Sequence, residues 1–346
     1  MKAATFVAPG KIELKEYQHP KIKNSTDAII RVIRTCVCGS DLWWYRGINK
    51  RNYNTPVGHE ALGIVESVGD KVNKIKVGDF VIAPFTHGCG HCVSCLTGFD
   101  GNCLNNDVND SEVIGYQSEY FRFKNANWAL VKIPGKPQDY EDAQLNDFLA
   151  LSDVMATGFH AAKSAEVKEN DTVVVIGDGA VGLCGVLSAK LLKAKRIIVM
   201  SKHHDRQKLA QEFGATDVVP ERGEDGINKI KELTGYGSDA VLECVGTAQS
   251  IDTAIKIGRP GTIVGRVGVP QKDILSGNNL FWQNLGIRGG IASVTTYDRE
   301  ILLDAVLKGI IHPGKVFTKT FSLNQIQQAY EAMDQRQAIK SLVVIE

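Results

Sequence analysis

The 346-residue chain predicts an α/β protein built from a β-rich, barrel-like domain and a doubly wound parallel sheet. Three observations carry this. The first 150 or so residues are short apolar runs separated by glycine-containing turns. From about residue 154, apolar strands alternate with helical stretches, the pattern of a parallel sheet. One of those strands runs straight into Gly177-Asp178-Gly179-Ala180-Val181-Gly182.

In chain order, Met1 to Gly10 reads as a short strand ended by Pro-Gly, without the apolar segment and cleavage site of a secretory signal. Ala28 to Ile33, Gly63 to Val68 and Asp79 to Ala83 read as strands of the β-rich domain. Thr172 to Ile176 is a buried strand, followed by a helix from Val181 to Leu192. Arg196 to Met200 is the next strand, Arg206 to Phe213 a helix, and Asp217 to Val219 a strand. Ala240 to Cys244 and Thr262 to Gly265 continue the alternation. Helices over Arg299 to Lys308 and Leu323 to Gln335 precede a last strand, Lys340 to Ile345.

A net charge of +1 offers no electrostatic basis for binding nucleic acid or an anionic membrane. No apolar run approaches the roughly 20 residues of a membrane span. A cytoplasmic protein is expected. Eight cysteines are present, four of them clustered. In a reducing compartment, clustered cysteines point to metal rather than disulfides. Cys36, Cys184 and Cys244 sit among apolar residues and read as small buried hydrophobes.

Cys89, Cys92, Cys95 and Cys103 lie in a loop with glycines at 88, 90, 98 and 101. Four thiolates match a closed tetrahedral zinc site, whose role is stability. The competing reading is a disulfide lobe in an exported protein, against which the missing signal argues. The glycine turn is a dinucleotide fingerprint, because it follows a strand and opens a helix. Gly177 makes the turn, Gly179 lets backbone approach a pyrophosphate, and Gly182 permits close helix–strand packing. Ala180 and Val181 then present the helix N-terminus to phosphate. A site for NAD requires an acid at the end of the second strand, where this chain has Ser201-Lys202. Those two residues, with His203 and Arg206 nearby, favour NADP(H) over NAD(H). The alternative is that Lys202 and Arg206 are solvated surface charges. Asp205 is expected to cap the following helix. No role is evident for Asp178.

Cys38-Gly39-Ser40-Asp41, then Gly58-His59-Glu60-Ala61-Leu62-Gly63 with Gly69 and Val72, then Leu151 to Phe159 around Asp153, form a further constellation. At these residues the chain resembles the zinc-dependent alcohol dehydrogenases of the medium-chain dehydrogenase/reductase family. The resemblance spans nearly the whole chain. It implies a GroES-like β-rich catalytic domain over 1–153 and 290–346, with the structural zinc lobe at 88–104. A Rossmann domain is implied over 154–289. It further implies two zinc ions per chain, the catalytic one on Cys38, His59 and Asp153. Many members have Cys where this chain has Asp153, and the ligand charge still balances Zn²⁺. Three protein ligands leave a position from which zinc polarises a carbonyl or acidifies an alcohol.

The same resemblance makes Ser40 the first hydroxyl of a proton relay and sets Asp41 to orient His59. Glu60 is placed behind the metal, as a transient ligand or an ordinary supporting carboxylate. The relay's usual next histidine is Trp43 here, so its exit is cut short or rerouted. Trp43, Trp44 and Tyr45 are candidates for a cleft wall, or for core packing. The Val267 backbone is expected near the nicotinamide amide and Lys340 near the pyrophosphate. The reaction expected is hydride transfer between NADP(H) and an alcohol, aldehyde or ketone. A polyol or threonine-type dehydrogenase is the alternative, as is a non-catalytic dinucleotide sensor. A homotetramer, or else a dimer, is expected.

Overall fold

The computed structural model describes residues 1–106, 115–271 and 277–345. It forms two compact units, one of Met1–Asp153 with Ser293–Glu346 and one of Val154–Ala292. Among the described residues, no helix is long and apolar enough to cross a membrane.

The first unit is built on a seven-stranded sheet. Its order is Phe317–Ser322, Lys340–Val344, Ala28–Cys36, Ala61–Val68, Phe80–Ala83, Val131–Ile133, with Tyr120–Phe123 also paired to Ala28–Cys36. A smaller sheet joins Lys11–Glu16, Lys2–Ala8 and Thr55–Pro56. Ala28–Cys36 lies between neighbours, so its residues are nearly all buried and it reads as an apolar run. Its register has a direct consequence. Leu342 pairs with Cys36 and Thr35 pairs with Ala61, both antiparallel. Continuing past those pairs brings Cys38, Glu60 and Lys340 to one end of the sheet. The chain must return some 280 residues later to supply the third of these.

Asp153 arrives from another direction, two residues beyond the Asp142–Leu151 helix. That helix is fastened to the sheet by Phe148, whose ring meets Phe80 edge-on at 6.2 Å between centroids. Both rings are fully buried. Such a pair contributes about 0.5–1.5 kcal/mol beyond its buried area. Of the three aromatics expected at a cleft wall, two are core. Trp44 packs edge-on to Phe6 at 5.0 Å, and Tyr45 lies 5.2 Å from the Tyr330 ring. Trp43 alone stays half-buried, because the Asp41–Tyr45 helix turns it away from that cluster.

The second unit is a six-stranded parallel sheet. Its order is Asp217–Val219, Arg196–Met200, Thr172–Ile176, Ser238–Glu243, Gly258–Arg266, Gly286–Gly289. Numbered along the chain this is 3-2-1-4-5-6, the doubly wound order with its crevice between the first and fourth strands. Val173, Val174, Val175, Val241 and Leu242 are completely buried, as strands covered on both faces require. The expected helix after the glycine turn runs Ala180–Leu191. The one expected over Arg299 to Lys308 is broken into a π-helical Asp298–Leu302 and an α-helical Leu303–Leu307. Asp205 is in the first turn of the His204–Phe213 helix, where its charge suits the N-terminus, but the cap position is His203.

Candidate metal centre and nucleotide site

Cys38, His59, Glu60 and Asp153 bring one donor atom each within 4.8 Å of one another. The Cys38 Sγ is 3.5 Å from Asp153 Oδ2, and His59 Nε2 is 3.6 Å from that same oxygen. A tetrahedral zinc ion with bonds of about 2.3 Å to sulfur and about 2.0 Å to oxygen or nitrogen sets such atoms ~3.3–3.5 Å apart. Glu60 Oε1 is farther, 3.9 Å from His59 Nε2. Its other oxygen, Oε2, is buried with no hydrogen-bond partner.

The supporting groups are ordered. Asp41 Oδ2 accepts the Cys38 backbone N–H at 3.1 Å, and its Oδ1 is 3.6 Å from His59 Nδ1. Ser40 Oγ donates to Cys38 Sγ at 3.2 Å. Lys340 Nζ donates to Glu60 Oε1 at 2.7 Å and to the Val37 carbonyl at 3.2 Å. Lys340, expected near a pyrophosphate, is 1% exposed with its ammonium on Glu60.

The electrostatics describe acids wanting a cation. Burial pushes the Cys38 thiol up, and the Asp153 carboxylate adds to it. Burial likewise raises Glu60, against the pull of Lys340. Burial would lower His59, but the negative charges of Asp41 and Cys38 overcome it and hold the imidazole well above its usual range. A soft sulfur, an imidazole and a carboxylate, with an orphaned carboxylate oxygen behind them, fit zinc.

The second cluster is Cys89, Cys92, Cys95 and Cys103. The Cys89 and Cys95 sulfurs are 4.0 Å apart, and those of Cys92 and Cys103 are 3.9 Å apart. These separations are close to the ~3.8 Å edge of a zinc–thiolate tetrahedron and far beyond a disulfide. Backbone N–H groups of Cys89 and Asn105 donate to Cys103 Sγ, and that of Cys92 donates to Cys89 Sγ. Hydrogen bonds from the Cys95 and Leu104 backbone lower the Cys92 thiol to about 6. Burial raises Cys95 to about 12. Gly90 is required here. Its φ is +77°, and a Cβ would lie 2.5 Å from the Trp128 ring.

In the second unit, Gly177 turns the chain at φ +114°. A Cβ on Gly182 would stand 2.1 Å from the Gly177 carbonyl oxygen, so the helix closes on the turn only with glycine there. A Cβ on Gly179 would meet nothing within 4 Å, so that side is open for a ligand to approach. Ala180 and Val181 form the first turn of the helix. At the second strand's end, Ser201 is buried and Lys202 exposed. Arg206 is not a free charge. Its Nη1 is 3.2 Å from Asp178 Oδ1, while Ser201 Oγ donates to Asp178 Oδ2 at 2.8 Å. The Val267 N–H donates to the Glu243 carbonyl at 2.9 Å.

Sequence reasoning missed two pairings, Asp178 with Ser201 and Arg206, and Lys340 with Glu60. An acid inside a glycine turn was the one visible signal of the first. The second joins residues 280 apart and left none.

One unit with a parallel sheet of dinucleotide-binding order, and another with a Cys-His-Asp cluster and a four-cysteine lobe, together define a zinc-dependent oxidoreductase. The comparisons agree. Residues 24–135 match the alcohol dehydrogenase GroES-like domain, and residues 180–307 match the zinc-binding dehydrogenase domain. The chain is 33% identical to zinc-type alcohol dehydrogenase B of Aspergillus flavus, over 96% of this chain and 78% of that one. It is 29% identical to the NADP-dependent isopropanol dehydrogenase of Clostridium beijerinckii over the full length of both. The solved structure of alcohol dehydrogenase TADH from Thermus sp. ATN1 superposes with a TM-score of 0.90 at 28% identity, covering all of both chains. The chain belongs to the zinc-dependent alcohol dehydrogenases of the medium-chain dehydrogenase/reductase family.

Proposed function

We propose that the chain interconverts small alcohols with aldehydes or ketones, using NADP(H) in preference to NAD(H). The observation that supports it is the convergence of Cys38, His59 and Asp153, with separations of 3.5 and 3.6 Å to the Asp153 oxygen near those about a zinc ion, and a serine hydroxyl on the sulfur. Bound there, zinc supplies Lewis acidity, and the nicotinamide carries the hydride. Asp41 holds the His59 ring and the Cys38 backbone in place. Ser40 moves the proton at its Oγ. Glu60, held by Lys340, stays behind the ligands as a supporting carboxylate. Cys89, Cys92, Cys95 and Cys103 hold a second zinc that stabilises the first unit.

Gly177, Gly179, Gly182 and the N-terminal turn at Ala180 and Val181 bind the cofactor's pyrophosphate. Ser201 and Lys202 favour a 2′-phosphate, because the strand-end acid of an NAD site is missing. Arg206 and the Val267 backbone complete the set. The NADP dependence of the Clostridium relative supports this reading. The protein works in the cytoplasm as a homotetramer or a dimer. Phe281 and Trp282, each 72% exposed and edge-on at 5.1 Å, precede the edge strand Gly286–Gly289 in the chain and suit a subunit contact.

The test is the rate of NADPH and NADH oxidation across aldehydes and ketones, before and after chelation. Chelator-sensitive turnover, faster with NADPH, is expected. No turnover by zinc-loaded protein on any carbonyl would turn attention to polyols.

A further inference from the structure

The strand-end acid that an NAD site needs is absent from its usual place in the chain, yet a carboxylate occupies the region in space. Asp178 comes from the glycine turn, not from the second strand. Its Oδ2 takes the Ser201 hydroxyl at 2.8 Å, and Ser201 is the first residue past that strand. Its Oδ1 and its backbone carbonyl take Arg206 Nη1 at 3.2 and 3.3 Å. Its side chain keeps 13% exposure, so one edge remains open to solvent. We infer that Asp178 determines cofactor selectivity. It accepts the adenosine ribose hydroxyl and opposes a 2′-phosphate. This rests on the nucleotide site proposed above.

The opposition has two sources. A carboxylate close to a phosphate repels it, and like charges brought together at a binding site cost affinity. The same carboxylate neutralises Arg206, whose guanidinium has the fork geometry for bidentate phosphate binding. The phosphate then depends less on Arg206 and more on Lys202 and Arg222. Arg222 is exposed and donates from Nη2 to the Met200 carbonyl at 3.1 Å, which puts its guanidinium at the end of the second strand. Asp178 therefore narrows the preference for NADP(H) that Ser201 and Lys202 create.

The experiment is calorimetric titration of the zinc-loaded protein with ADP-ribose and with 2′-phospho-ADP-ribose, which needs no turnover. Asp178→Asn keeps the shape and removes the charge. It is expected to tighten 2′-phospho-ADP-ribose by about tenfold and to weaken ADP-ribose. A ratio of affinities unchanged by the substitution would overturn the inference. Asp178→Ala reads the same ratio should the Asn variant not fold. Arg206→Gln should cost more phosphate affinity in the Asp178→Asn background than in the natural chain. Equal costs in both would also overturn it. The natural chain's own ratio is a separate reading. Tighter binding of ADP-ribose there would sink the NADP(H) preference without touching the role of Asp178.

Discussion

Lys340 and Glu60 form an ion pair at 2.7 Å with side chains 1% and 0% exposed. Two charges so deeply buried are held by each other and by few alternatives. Replacing one strands its partner, at a cost of about 3–5 kcal/mol. Lys340→Met should lower the thermal midpoint markedly, and the double variant Lys340→Met with Glu60→Gln should recover part of the loss. A single variant as stable as the natural chain would show that water already satisfies Glu60.

Asp153→Asn keeps the shape of the third ligand and removes its charge. Zinc should fall from two ions per chain towards one, with kcat lower by at least the roughly 10–100-fold that loss of an orienting partner alone causes. Metal analysis alongside kinetics checks this. Full zinc at full rate would remove Asp153 from the ligand set.

Cys95 is 3% exposed, the most buried of the lobe's four cysteines. Cys95→Ser should reduce thermal stability and zinc content while surviving enzyme turns over nearly as before. Loss of turnover with an unchanged melting curve would contradict a stabilising role.

Burial lowers His87 to about 4, and a backbone hydrogen bond at Lys124 only partly opposes it. Its Nε2 is 2.9 Å from the Tyr116 hydroxyl. The folded chain therefore keeps this imidazole neutral, while the unfolded chain takes up a proton below about 6.5. Stability from this residue is full above 6.5 and declines as pH falls to about 4. The total is about 2–3 kcal/mol, reduced for the ring's partial exposure. Melting curves from pH 7 to 4 should show His87→Gln losing less than the natural chain. Parallel curves would assign the acid sensitivity elsewhere, to the lobe thiolates first.

Lys202→Ala should raise the KM for NADP(H) by about tenfold, the loss of one charge-assisted contact, and hardly alter NAD(H). An equal effect on both cofactors would take Lys202 out of the phosphate site.

Much of the fold was legible because the signals are local. The glycine turn after Thr172–Ile176 and the alternation that follows it are periodic features, and the sheet has the order they imply. The cysteine spacing of the lobe spans only 15 residues and needs no distant partner. The ligands of the other zinc site are far apart in sequence, and only the family resemblance grouped them. The aromatic triplet was ambiguous for a different reason. Apolar character does not say which side of a helix faces the core, and Trp44 and Tyr45 proved to be core.

The residue types and spacings by themselves determined the four-cysteine lobe and the dinucleotide turn, since each reduces to backbone geometry and ligand chemistry over a few residues, and the family motifs they carry grouped Cys38, His59 and Asp153. The tertiary structure alone decided how the charges are spent. Sheet register carries Lys340 from the far end of the chain to Glu60, and the glycine turn leans Asp178 against Ser201 and Arg206. A charge acts on whatever lies within a few ångströms, and sequence order does not record that distance.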